Sequence, residues 1–197
     1  MASEVTDLLR KYACTLEKLK DKGVVQTRNS PVGDYAEWLV AKAFTYKIYP
    51  PSTSGYDLCD CDLCVPGEKC VPGFPCVPCV PGEKRVPCVP PCLPCVSQCG
   101  KRYQVKARWL RDVNSNRQLS IIRKHKDGKL AFDFLIAVYF DNTFNVTDAY
   151  KIPHTIVKKH AKLNRYQNGH ILNATVMKKV IGDDAVECIT KSLQDEQ

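Results

Sequence analysis

Gly55-Tyr-Asp-Leu-Cys-Asp60 and Gly100-Lys-Arg-Tyr-Gln-Val-Lys-Ala-Arg108 read as two arms of one β-hairpin, although residues 61–99 stand between them. Joining Asp60 to Gly100 puts an Asp-Gly turn between two strand-like runs, a strong short-range hairpin signal. Successive side chains of a strand point to opposite faces, so the register decides what the hairpin can do. A two-residue loop pairs Asp57 with Tyr103 and sends Gln104 to the other face. A three-residue loop (Asp60, Gly100, Lys101) pairs Asp57 with Gln104. Asp57, Gln104 and Lys106 then share one face, and only this register builds a site.

Residues 61–99 form a Cys/Pro-rich low-complexity insert. Cys-Val-Pro-Gly-Glu-Lys occurs at Cys64 to Lys69 and again at Cys79 to Lys84, with shorter copies starting at Cys70, Cys76, Cys88 and Cys92. Proline at this frequency excludes a helix or a central strand. Polyproline-like or disordered backbone is expected, as an expansion at the hairpin tip that leaves both strands intact. The spacings Cys59-x-Cys61-x-x-Cys64, Cys76-x-x-Cys79 and Cys92-x-x-Cys95-x-x-x-Cys99 resemble zinc hooks. The repeat itself generates such pairs, so a disordered expansion is the first reading, Zn²⁺ binding the second and a disulfide network the third. Of 12 cysteines, 10 fall between Cys59 and Cys99, which assigns them to the insert and not to stapling the fold.

Around the hairpin the chain alternates helices and strands. Ser3 to Lys22 has apolar residues at helical spacing (Val5, Leu8, Leu9, Tyr12, Leu16, Leu19), with Ser3 as cap and Gly23 as stop. Pro31 to Tyr46 is a second helix, with Ser30-Pro31 at its start and an apolar stripe of Ala36, Leu39, Val40 and Ala43. Glu37 lies beside that stripe. Lys47 to Tyr49 and Gly55 to Cys59 are short strands, and Gln118 to Arg123 is a further one. Phe132 to Phe140 reads as a buried strand, and Phe144 to Ile152 as its neighbour after Asp141-Asn142. Thr155 to Leu163 is a basic helix and Asp184 to Leu193 a final one, capped by Asp183 or Asp184. The order gives a single α/β (α+β) domain with a mixed sheet flanked by helices, preceded by an N-terminal helix.

The net charge is +8, and it is concentrated: 17 Lys and Arg face 5 Asp and Glu between Lys101 and Lys179. A basic half suits a polyanion partner such as a nucleic acid, or presents a solvated basic face. No run of about 18 apolar residues suggests a membrane span, and the polar, acidic N-terminus does not resemble a secretory signal. A reducing, cytoplasmic location is expected. Lys158, Lys159, Lys162 and Arg165 are read as one basic helix that either touches a DNA backbone or presents a solvated face. Trp38 and Trp109 are read as core or interface residues. His154, His160 and His170 lack a carboxylate or Cys partner at ligand spacing and are read as solvated or phosphate-contacting.

Phosphodiester hydrolysis needs an activated water and a sink for charge on the phosphate, and a divalent metal with oxygen ligands supplies both. Asp57 would be the central ligand. Gln104 offers its amide oxygen, the Val105 carbonyl could add another, and Glu37, from the helix beside the sheet, would hold a metal-bound water or a second metal. Lys106 would orient the water and neutralise charge on the phosphate.

A helical Glu, a strand Asp and (Asp/Glu/Gln)-x-Lys is the pattern of the PD-(D/E)XK, or restriction-endonuclease-like, nuclease superfamily. Gly33-Asp-Tyr-Ala-Glu-Trp-Leu-Val-Ala-Lys42 and Tyr103-Gln-Val-Lys-Ala-Arg108 most resemble its Gln-x-Lys branch, which includes Mrr-like restriction enzymes. The resemblance implies an αβββαβ core, Mg²⁺ (or Mn²⁺) as cofactor, DNA cleavage of restriction or repair type, and catalytic roles for Glu37, Asp57, Gln104 and Lys106. Arg108 would contact phosphate. Tyr56 stands where the superfamily name has Pro. Gln104 is neutral, which removes one charge from the site and gives Glu37 more weight. Two alternatives stand beside the nuclease: a silent nucleic-acid binder of the same fold, and a zinc-binding interaction module built on the insert. A homodimer or a specificity partner is compatible with the first reading.

Overall fold

The computed structural model describes residues 2–27, 30–50, 55–60, 100–110, 116–123 and 130–197. The insert at 61–99 lies outside them.

Helix α1 (Ala2–Asp21) ends where Gly23 takes φ +70°. The Gly23 N–H donates to Lys20 O (2.8 Å) and the Val24 N–H to Leu19 O (3.0 Å), a Schellman closure that a side chain with Cβ resists. Helix α2 (Pro31–Phe44) starts with proline in its first turn. Ser30 holds the capping position, but its side chain makes no capping hydrogen bond. Asp34 does the tying instead. Its Oδ2 accepts from the Gln26 N–H (2.8 Å) and the Thr27 N–H (2.7 Å), fastening the incoming chain to the first turn. The helix stops two residues short of Tyr46, because Thr45 turns left-handed at φ +57°.

Strands β1 (Lys47–Ile48), β2 (Leu58–Cys59), β3 (Arg102–Trp109), β5 (Phe134–Phe140), β6 (Val146–Pro153) and β9 (Glu187–Cys188) make one sheet in the order β1-β2-β3-β5-β6-β9. Strands β3 and β5 run parallel, and every other pair is antiparallel. Strands β4 (Ile122–Arg123), β7 (Lys162–Asn164) and β8 (Gly169–Ile171) form a second, three-stranded sheet in the order β4-β8-β7. Helices α3 (His154–His160), α4 (Ala174–Ile181) and α5 (Thr190–Gln194) complete the chain.

The alternation of β3 and β5 divides the core in two. Tyr103, Val105, Ile136 and Val138 face α2 (Ala36, Leu39, Val40) and Leu193 of α5. Leu135, Ala137 and Tyr139 belong to the opposite cluster, with Leu119, Ile122, Val157, Leu172, Val176 and Met177. The result is a mixed sheet with α2 on one face and the small sheet with α3 and α4 on the other. Full burial of each large apolar side chain contributes about 1.5–3 kcal/mol. Trp38 and Trp109 pack partly buried against the α2-side cluster, as expected.

Several elements differ from the sequence reading. Of Gly55 to Cys59, only Leu58 and Cys59 are paired strand, and of Gln118 to Arg123 only Ile122 and Arg123. The partner of β5 starts at Val146, after Phe144 turns at φ +67°. The basic helix stops at His160, because Ala161 is extended (φ −68°, ψ 140°) and the chain then pairs as β7. Lys162 and Arg165 therefore leave the helix on which Lys158 and Lys159 remain. The expected helix from Asp184 is absent. Asp183 Oδ1 accepts from the Ala185 N–H (3.2 Å) in a turn, Glu187 and Cys188 pair with β6, and the helix begins only at Thr190. Helix α4 was not anticipated.

Candidate active site

Leu58 pairs with Tyr103 and Cys59 with Arg102, so Asp57 stands opposite Gln104. This is the three-residue register, and it survives the insert at the tip. The Asp57 N–H donates to Tyr103 O (2.8 Å), and Asp57 Oδ2 accepts from the Val105 N–H (2.7 Å). The carboxylate is thus held by the backbone of the neighbouring strand. Tyr103 O faces β2 through that bond. By the two-residue period of a strand, the Val105 carbonyl faces the same way, past the end of the short β2. The hairpin tip is fixed by Asp60, which accepts from the Tyr103 hydroxyl (2.8 Å).

Gln104 and Lys106 lie on the face of β3 opposite Tyr103 and Val105, in register with Leu135 and Ala137 of β5. Gln104 is 6% exposed, the one buried polar residue of the described core, and its Oε1 has no hydrogen-bond partner. An unsatisfied buried amide oxygen costs about 1–3 kcal/mol, and folded proteins carry few of them. Lys106 is half-buried.

Glu37 projects from α2, whose buried positions Ala36, Leu39 and Val40 fix the helix on the sheet. Burial pushes its carboxyl up to about 8, reinforced by the charges of Asp57 and Asp34 and opposed by Lys106. Burial also raises Asp57, against the pull of the Lys106 ammonium and the Val105 N–H. Two carboxyls and one ammonium therefore feel each other in a poorly solvated place, and the carboxyls are under-compensated. That imbalance is typical of functional sites.

The residues fit a hard divalent cation. No group of three or more His, Cys, Asp or Glu suited to a metal occurs among the described residues. The donor set is instead two carboxylates, a buried amide oxygen without a partner, and a backbone carbonyl, all hard oxygens. Asp34, missed in the sequence reading, acts on the site through the first turn of α2 and through its charge on Glu37. Its signal lay in the quoted Gly33-Asp-Tyr-Ala-Glu37, one turn before the Glu.

The expected phosphate contacts divide. Arg108 is exposed on the Gln104/Lys106 face of β3, with its Nε donating to Asn116 O (3.0 Å). Lys158 and Lys159 are exposed on α3, and Lys159 pairs with Asp183 (3.1 Å). Lys162 sits on β7 and Arg165 in the β7–β8 turn, both exposed. All four belong to the layer packed on the face that carries Gln104 and Lys106. Lys178 and Lys179 of α4 add to it. Of the zinc-like hooks only Cys59 is described. It is fully buried on β2, in the cluster of Tyr49, Tyr56 and Phe132.

Two expectations follow. Gln104→Met keeps the shape and removes the unsatisfied oxygen. The metal-free protein should gain about 1 kcal/mol in denaturant unfolding, and its stabilisation by Mg²⁺ should disappear. A destabilised variant would count against the unpaired oxygen. The second concerns pH. Glu37 releases its proton at 4.5 when unfolded and at about 8 when folded, so between those values only the folded state keeps the proton. The contribution is fully present below 4.5, is lost as pH rises to about 8, and is constant above. The slope is at most about 1.4 kcal/mol per pH unit, less for solvent screening. Glu37→Gln should flatten the stability–pH curve of the metal-free protein across that window; an unchanged slope would place the proton elsewhere.

Compared with known protein families and with curated proteins, the chain matches no family model and no curated sequence.

Proposed function

We propose that the chain is a metal-dependent nuclease that hydrolyses DNA phosphodiester bonds, with a restriction-endonuclease-like core. The observation that carries this reading is the buried, unpartnered Gln104 Oε1 on the same face as the backbone-clamped Asp57. Glu37, Asp57, Gln104 Oε1 and the Val105 carbonyl would hold Mg²⁺ or Mn²⁺. When bound, the ion supplies a sink for charge on the phosphate and acidifies water beside it. Lys106 places its ammonium in the same cluster, where it offsets negative charge developing on the phosphate oxygens. Asp57 has one oxygen fixed by the Val105 N–H, which restricts the carboxylate's rotation and presents the other. Burial holds the Glu37 carboxyl up at about 8 in the metal-free protein, so taking up the ion would displace a proton from it. The basic layer on the same side supports a nucleic-acid substrate, since phosphate contacts supply sequence-independent affinity.

Supercoiled-plasmid cleavage tests the proposal, using wild type, Lys106→Ala and a deletion of residues 61–99, each with Mg²⁺ or Mn²⁺. Cleavage by wild type and by the deletion, but not by Lys106→Ala, is the expected result. A wild type that binds plasmid and leaves it intact under every metal condition would replace the nuclease with a silent nucleic-acid binder of the same architecture.

A further inference from the structure

The β7–β8 hairpin ends in a tight turn that holds one aromatic ring in solvent. Asn164 pairs with Gly169, and Arg165-Tyr166-Gln167-Asn168 turns the chain between them. The Asn168 N–H donates to Arg165 O (3.4 Å), and Asn168 takes φ +45°, a left-handed value that asparagine tolerates. Asn164 Oδ1 accepts from the Gln167 N–H (3.1 Å), and Asn164 Nδ2 donates to Gln167 Oε1 (3.3 Å). The second residue of the turn, Tyr166, is 97% exposed, more than any other large hydrophobic residue of the described chain.

The surroundings of that ring are cationic. Residues 149–182 contain seven Lys and Arg and no Asp or Glu. Glu187 and Asp183, from outside the stretch, pair with Lys151 and Lys159, whereas Lys162 and Arg165 make no ion pair among the described residues. Paired residues of an antiparallel sheet share a face. Arg123, Gly169 and Asn164 are therefore on one face of the small sheet, and Lys162, two residues before Asn164, is on it too. Ile122 is fully buried, so the face of its neighbour Arg123 looks outward. Phosphate charge suits such a face. The ring selects further, because a base offers its π-face for stacking only where it is out of a duplex. Reading base edges in a duplex groove calls on side-chain amides and arginine, but two of the three tip amides, Asn164 and Gln167, are tied to each other. An acidic lipid surface would gain little from a single apolar side chain at the tip.

We propose that the β7–β8 hairpin binds a single-stranded segment of DNA, with Tyr166 stacked on an unpaired base and Arg123, Lys162 and Arg165 along the phosphates. The inference rests on the proposed nuclease for its DNA and narrows the substrate to a strand with unpaired bases, as at a flap, a gap or a frayed end. Binding of this kind needs no metal, so it is measured apart from cleavage.

Fluorescence anisotropy of a labelled oligothymidylate and of a mixed-sequence duplex of equal length, with the full chain in EDTA, tests it. Wild type should bind the single strand. Tyr166→Ala should weaken that binding by about tenfold or more and duplex binding far less. Tyr166→Phe should bind like wild type, because the ring stacks and the hydroxyl does not. Arg165→Gln should weaken both and reduce the salt slope for the single strand by about 0.7. Circular dichroism of the Tyr166 variants should match wild type, because the side chain is exposed. A wild type that leaves the single strand unbound overturns the proposal, whether it then takes duplex, acidic vesicles or neither. Single-strand binding that ignores Tyr166→Ala overturns it too, as does an equal loss on strand and duplex. A protein that stacks the strand through Tyr166 and never cuts DNA with Mg²⁺ or Mn²⁺ keeps the hairpin contact and loses the nuclease. One that cuts DNA while Tyr166→Ala binds the strand like wild type keeps the nuclease and loses the hairpin contact.

Discussion

Lys106→Ala is expected to lower the rate of DNA cleavage by about a hundredfold to a thousandfold while leaving the protein folded. The size follows from where the ammonium sits. Lys106 is half-buried on β3, beside Asp57 and Glu37, and its charge acts on both carboxyls. In so poorly solvated a place a fixed positive charge is worth far more to a developing phosphate charge than it would be in water. The fold should survive because Glu37 already titrates at about 8. Without Lys106 the carboxyls of both Glu37 and Asp57 are pushed further up, toward their neutral forms. Lys106→Arg keeps the charge but not the compact ammonium, and should recover only part of the rate. Plasmid-nicking rates and thermal unfolding, measured on the same samples, separate the two effects. Wild-type cleavage by Lys106→Ala would remove this residue from the chemistry.

The parts of the site that were legible in the sequence rest on short-range periodicity. The two-residue repeat of a strand puts Gln104 and Lys106 on one face whatever the surroundings. The choice between two loop lengths then decides whether Asp57 joins them, and the observed pairing of Cys59 with Arg102 is the longer loop. The burial of Gln104 Oε1 was not legible, because burial is set by tertiary packing and not by the local strand pattern. The raised carboxyl of Glu37 likewise needs Asp57 and Asp34 at their positions in space. Among the elements, the strand read as Phe132 to Phe140 was plain from its apolar run, and it pairs from Phe134 onward. The C-terminal part misled because Asp183 and Asp184 look like helix caps. There the edge of β6 recruits Glu187 and Cys188 instead, and tertiary pairing overrides the local signal. Helix α4 had readable signs that went unused. Asn173 caps it by accepting from the Val176 N–H (2.9 Å), and Val176, Met177 and Val180 recur at helical spacing on its buried side.

Gly55→Val is expected to destabilise the protein by about 3 kcal/mol or more. Gly55 sits at φ +94°, a conformation that β-branched residues rarely adopt, so the backbone alone opposes the change. A Cβ at this position would also stand 2.5 Å from the Ala131 Cβ, closer than real Cβ atoms approach. Strain and clash can be told apart with smaller substitutions. Gly55→Ala meets both, and Ala131→Gly in the same chain removes only the clash. The double variant should therefore recover part of the loss and retain the backbone part, a coupling that a double-mutant cycle reads directly. Gly55 lies two residues before Asp57, so whatever relaxation the chain finds will move the carboxylate off the Val105 N–H. Metal-dependent cleavage should then fall in Gly55→Ala by more than its loss of stability explains at temperatures where the variant is folded. A Gly55→Ala protein as stable as wild type would show that the turn has room that its geometry denies. Full stability together with lost cleavage would show that the turn serves to aim Asp57 and contributes little to holding the fold.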